Sequence, residues 1–179
     1  MPVDIAQHLR NPNYPASIQR RRIVWALLQP FFRWSPRPLH GWRVWLLRRL
    51  GAKIGQRVQI YPSARVMFPW NIEIADDVII GWDARLYSLT TIRIADNVLV
   101  SQGAHLCAGS HDHRRANYPL VLKPVVVESG AWLAAECFVG PGVTVGAGAV
   151  VAARAVVARD VPAGAVVAGN PARQVGVSP

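Results

Sequence analysis

The chain has 179 residues, is 51% hydrophobic and carries a net charge of +10, which suits one domain with a real core and excludes a disordered chain. Its two cysteines, Cys107 and Cys137, exclude a disulfide framework and are expected as buried thiols in a reducing compartment. No basic start followed by an apolar run and a small-residue cleavage site marks a secretory signal, and no run approaches the ~18 apolar residues of a membrane span, so a cytoplasmic protein is expected.

The charge is concentrated at the front. Residues 1–53 hold ten Lys and Arg against one acid, Asp4, whereas the remainder is nearly balanced. Residues 17–50 read as two helices split by "RWSPRP" (33–38), with Trp25, Trp34, Trp42 and Trp45 set among arginines. A helical cap over the open end of the following domain is the first reading. A peripheral contact with an anionic membrane surface through residues 17–50 is compatible with it. Basic charge alone, without a recognition motif, does not make a nucleic-acid-binding protein, and no nucleic-acid partner is expected.

From Ile54 an aliphatic residue recurs at every sixth position: Ile54, Ile60, Val66; Ile74, Ile80, Leu86; Ile94, Val100, Leu106; then Val127, Leu133, Val139, Val145, Val151 and Val157. Small or modest residues follow four positions later, among them Ala64, Ala84, Ala104, Ser110, Ala131 and Ala149. Neither a helix nor a plain strand has this period. A hexad repeat marks a parallel β-helix, in which six residues make a short strand and a corner and three flats close a triangular coil. Coils are expected to start near 54, 74, 94, 127 and 145, five in all, with two-residue slips where the spacing is 20. Glycines at 55, 81, 140 and 146 follow the aliphatic position, where backbone latitude is the expected reason. The division is a basic helical cap (1–53), a β-helix (54–173) with an excursion loop (111–126), and a tail (174–179).

The repeat stops at "AGSHDHRRANYP" (108–119). A smooth prism has no pocket, so a segment that leaves it beside histidines is where chemistry is expected. Histidine suits a general base because its ordinary pKa of ~6.5 leaves it neutral near pH 7.

Four segments resemble the hexapeptide-repeat acyltransferases, in particular the colanic-acid and exopolysaccharide acetyltransferases. They are "FFRWSPRPLHGWRVWLLRRLGAKIG" (31–55), "FPWNIEIADDVIIG" (68–81), "VSQGAHLCAGSHDHR" (100–114) and "AWLAAECFVGPGVTVGAGAVVAARAVVARDVPAGAVVAGNPAR" (131–173). The resemblance implies a left-handed β-helix, a homotrimer with active sites between subunits, and transfer of acetyl from acetyl-CoA to a hydroxyl of a sugar or glycan precursor, with no metal required. It implies His111 as the base. It puts Ala135 beside the thioester, Ala153 and Ala158 along the pantetheine arm, and Arg159 and Arg173 near the CoA phosphates. Asp112, His113 and Trp132 are secondary candidates for the acceptor. Relatives often carry Asp-Asn where this chain has Tyr87-Ser88, so acceptor contacts do not transfer directly.

Two other readings stand beside this one. A zinc enzyme of the γ-carbonic-anhydrase kind would need three convergent histidines, for which His105, His111 and His113 are the candidates within the repeats. A non-catalytic binding scaffold would need none of the chemistry assigned to His111.

Overall fold

The computed structural model describes residues 15–178. Two helices, α1 (Ala16–Arg33) and α2 (His40–Arg49), lead into a stack of short strands on three faces. The first face carries Lys53–Ile54, Ile72–Ile74, Ile92–Ile94, Val125–Val127 and Thr144–Val145, all parallel. The second runs from Gln59–Ile60 through Ile79–Ile80, Leu99–Val100, Trp132–Leu133 and Val150–Val151 to Ala165–Gly169. The third holds Arg65–Val66, Arg85–Tyr87, His105–Cys107, Phe138–Val139 and Val156–Val157. Five coils are complete, as the hexad predicts. A sixth begins where Val161 bridges to Val145 and ends when Ala172–Val177 turns back antiparallel to Ala165–Gly169. That last strand runs across position 173–174, where a tail is expected to begin.

Every hexad aliphatic from Ile54 to Val157 is buried, and the small residues four positions later lie beside them in the same core. One does not. Ser110 is exposed, because the chain has already left the prism: Ala108 is the last inward residue, and Gly109–His111 pairs antiparallel with Leu120–Leu122. The excursion is therefore a β-hairpin rooted at Gly109.

The two-residue slips fall at the corner between the third and first faces. There Ser88, fully buried, donates to Phe68 O (3.0 Å) and accepts from Phe68 N–H (2.9 Å), which satisfies a polar group inside the stack.

Glycines 55, 81, 140 and 146 keep negative or extended φ, so backbone latitude is not their reason. The coils approach too closely for a side chain: a Cβ on Gly81 would lie 2.9 Å from Gln102 N, and one on Gly146 would lie 2.5 Å from Ala163 N. Left-handed backbone occurs instead three residues after the aliphatic, at Arg57, Asp77, Asn97, Gly130 and Gly148 beyond the first face and at Asp83, Gly103, Glu136 and Arg154 beyond the second.

The lowest coil would expose the carbonyls of its three inward residues to no partner strand. The cap supplies a side-chain donor for each. Arg48 Nε donates to Ile54 O (2.9 Å), Arg43 Nε to Ile60 O (2.6 Å) and Trp25 Nε1 to Val66 O (2.9 Å). Arg43 is wholly buried with no carboxylate beside it. Its other donors reach Ser35 Oγ, Pro36 O and Arg37 O at 2.6–3.0 Å, His40 Nδ1 donates to the same Ile60 O (3.0 Å), and burial lowers the pKa of Arg43 from the ordinary arginine value. Trp25 and Phe32, the buried residues of α1, meet edge to face at 5.8 Å and close the core from below.

The other side of the cap is apolar and exposed. Ile23, Leu27, Phe31 and Trp34 of the α1 region, and the stacked pair Trp42 and Trp45 of α2, face outward; Trp34 is 85% exposed. No helix among the described residues is long and apolar enough to cross a membrane.

Candidate active site

His111 ends the first strand of the hairpin, paired in register with Leu120. Its Nδ1 lies 2.6 Å from Tyr118 O. A carbonyl can only accept, so Nδ1 carries the proton and the lone pair sits on Nε2. Tyr118 holds φ 45°, a left-handed conformation that costs a bulky residue energy and turns its carbonyl toward the imidazole. Nothing in the sequence pattern singles out Tyr118 for this task.

Asp112 serves the hairpin itself. Its N–H donates to Pro119 O (3.0 Å) and its carboxylate accepts from Arg114 N–H (3.0 Å). His113 is exposed at the hairpin tip. His105 lies on the third face with its ring edge-on to Tyr87 and Phe138, and burial, then the charge of Arg85, hold its pKa below the ordinary histidine value. His105, His111 and His113 thus occupy a flat, a hairpin strand and a hairpin tip. No three His, Cys, Asp or Glu side chains converge on a metal-sized site among the described residues.

The five cofactor candidates fall into two groups. Ala158, Arg159 and Arg173 line one cavity of about 380 Å³ at the upper end of the prism, together with Pro171 and Asp160. Ala135 and Ala153 lie elsewhere, stacked one coil apart on the turns between the second and third faces, with Arg154 N–H donating to Ala135 O at 2.9 Å. Trp132 stands exposed on the second face, its Nε1 donating to Ser101 Oγ (3.0 Å). It belongs to an outward apolar row with Ile79 and Leu99.

Tyr87 and Ser88 part company. Ser88 is the buried stitch described above, whereas Tyr87 faces out and lines a second cavity of about 400 Å³ between α1 and the third face. Trp25 and Phe32 floor this cavity, and Arg33, Arg65, Arg85 and His105 also line it. None of its lining residues is acidic. These arginines were not singled out as site residues by motif or repeat; only the docking of α1 makes them walls of one pocket.

No family model matches the chain. A protein of Escherichia coli (strain K12) named "Putative colanic acid biosynthesis acetyltransferase WcaF" is 44% identical over 151 residues, covering 84% of this chain and 83% of that protein. Nodulation protein L of Rhizobium leguminosarum bv. viciae is 35% identical over 136 residues, or 74% of this chain and 70% of that one. Among solved structures, a hexapeptide-repeat-containing acetyltransferase of Vibrio cholerae O1 biovar eltor, complexed with acetyl coenzyme A, superposes with a TM-score of 0.83 at 28% identity, covering 94% of this chain and 92% of that one.

Proposed function

This chain belongs to the hexapeptide-repeat acetyltransferases, and from that premise we propose that it transfers acetyl from acetyl-CoA to a hydroxyl of a sugar or exopolysaccharide precursor, with His111 as the general base. The observation that carries the reading is the His111–Tyr118 hydrogen bond, which fixes the tautomer with the basic lone pair on Nε2. Nε2 takes the proton as the acceptor oxygen bonds to the thioester carbonyl carbon. The resulting oxyanion is stabilised by a backbone donor, for which Ala135 is the candidate. Collapse breaks the carbon–sulfur bond, and the departing thiolate takes the proton back from the imidazolium. The cavity of Ala158, Arg159 and Arg173 supports the placement of CoA there, because arginine's planar fork suits phosphate.

We assign the active unit to a homotrimer. His111 leaves the prism at the corner between the third and first faces, whereas Ala135 and Ala153 occupy the corner between the second and third. A full flat, roughly 15 Å at strand rise, separates the two corners, so a site that uses both joins two subunits. The apolar row of Ile79, Leu99 and Trp132 supports a neighbour against the second face. Asp112 and His113 on the hairpin and Trp132 at that cleft are the candidates for acceptor contact. The protein acts in the cytoplasm, and the exposed Trp, Leu and Phe of the cap among its arginines support a peripheral contact with anionic lipid, where a lipid-carried acceptor would be met.

The test is free-thiol release from acetyl-CoA with and without sugar acceptors, in the wild type and His111→Ala. Acceptor-dependent release that falls at least ~100-fold in the variant is expected. Undiminished release in His111→Ala would remove the base assignment. Light scattering should give three times the 19.6 kDa chain mass.

A further inference from the structure

Around the prism, basic residues on one coil meet acids on the next. Glu73 is flanked in register by Lys53 and Arg93 at 2.8 and 2.9 Å, Arg57 pairs with Asp77, and Arg154 with Glu136. The lower third face breaks this rule. Arg65 and Arg85 are direct register partners on adjacent coils, and Arg85 in turn partners His105. Like charges directly opposite one another in a ladder destabilise it. Neither guanidinium has an ion pair or hydrogen bond among the described residues, and neither does Arg33. All three line the 400 Å³ cavity beneath α1, a volume in the range of small-molecule sites. A local rule broken without internal compensation is where a ligand is to be sought.

The cavity is also next to the base. Tyr87 on its wall is the register partner of Cys107, and its carbonyl accepts from Ala108 N–H at 3.1 Å, at the root of the hairpin. Four residues lead from Cys107 to His111, so their Cα atoms are at most about 14 Å apart. A substituted monosaccharide, with arginine and imidazole side chains taking up part of the distance at either end, is long enough for such a span.

We propose that this cavity takes the anionic group of the acceptor: a sugar bearing a carboxylate or a phosphate, gripped by Arg65 and Arg85 with Arg33 closing from α1, and extending its reacting hydroxyl toward His111. The proposal rests on the acetyl-transfer reading above and deepens it to a substrate class. Burial first, and then the charge of Arg85, hold the His105 pKa down. An anion bound at Arg85 would oppose the second of these.

The test is calorimetric binding of glucose, glucuronate, glucose 1-phosphate and inorganic phosphate to protein saturated with CoA, so that the CoA phosphate site is filled. At least one anionic sugar should bind tenfold or more tightly than glucose, and which of the two does so tells carboxylate from phosphate. In the Arg65→Gln/Arg85→Gln double variant the preference should fall to within about threefold, and Arg33→Gln should weaken it partly, while acetyl-CoA affinity and the circular dichroism spectrum stay unchanged. Glucose binding as tightly as both anionic sugars, a double variant that keeps the preference, or no binding of either anionic sugar at millimolar concentration would overturn the proposal. Inorganic phosphate binding as tightly as glucose 1-phosphate would also overturn it, by marking an anion site indifferent to sugar. Acetyl-CoA binding is read separately, in protein without CoA. Its absence, with anionic sugars still bound, would sink the acetyl-transfer reading and leave the cavity's ligand class standing.

Discussion

Arg43→Lys isolates what the buried guanidinium does for the cap. Arginine offers five N–H donors, and four of them reach Ile60 O, Ser35 Oγ, Pro36 O and Arg37 O. Lysine offers three from a single nitrogen, so at least one of these acceptors loses a charge-assisted bond worth ~1.5–3 kcal/mol when buried. Ser35, Pro36 and Arg37 lie near enough to the surface for water to replace part of this, and a loss of about 2 kcal/mol is expected. For a chain of this size 1 kcal/mol corresponds to ~2–4 °C, so calorimetry should show a melting point roughly 4–8 °C lower. Arg43→Met fills similar volume but strands all four oxygen acceptors, and should fall further, by about 4–5 kcal/mol. There is a competing effect of known size, because removing a buried charge spares its desolvation. If Arg43→Met melts within a degree or two of the wild type, desolvation cancels the hydrogen bonds and the reasoning fails.

Other outcomes follow from the same structure. Gly81→Ala should destabilise by ~1–3 kcal/mol because the added methyl meets the backbone of the next coil, whereas Gly41→Ala, in α2 with nothing within 4 Å, should stabilise by up to ~1 kcal/mol in urea unfolding. His105 has a folded-state pKa below its unfolded value of ~6.5, so its contribution to stability is complete above that pH and is lost as pH falls from there through the lower folded-state value. Melting points between pH 7.5 and 5 should therefore drop less steeply in His105→Gln; identical slopes would refute the assignment. The Cys137 thiol, pushed up to about 12 by burial, should resist a thiol reagent at pH 8 until the chain unfolds, leaving the half-buried Cys107 as the residue titrated first.

The prism was legible because its aliphatic hexads, Ile54 to Val157, each fill the same inward position, and one rule repeated along the chain is readable from residue types alone. Departures from that rule were visible as positions but not as conformations. Ser110 keeps the spacing of an inward residue yet points out, since antiparallel pairing of Gly109–His111 with Leu120–Leu122 overrides the period. The glycines were visible too, but the reason for them is contact between coils, which no single coil's sequence contains. Arg43 reads in sequence as one more arginine of a basic segment; only the three open carbonyls of the lowest coil explain why this one is buried. Arg65 and Arg85 sit one coil apart in the sequence, and it takes the docking of α1 to turn that interval into the wall of a cavity.

The treatment of the two ends has a consequence for how copies of this chain can associate. A stack of identical parallel rungs has no natural length, and its terminal rung is a template for the first rung of another molecule. Here the lower template is spent on Arg48, Arg43 and Trp25, and on the second face the upper one is met by Ala172–Val177 running the opposite way. An incoming chain finds no in-phase ladder to continue on all three sides at either end. Axial polymerisation is thereby closed off, and side-by-side contact between flats remains the direction in which copies can meet.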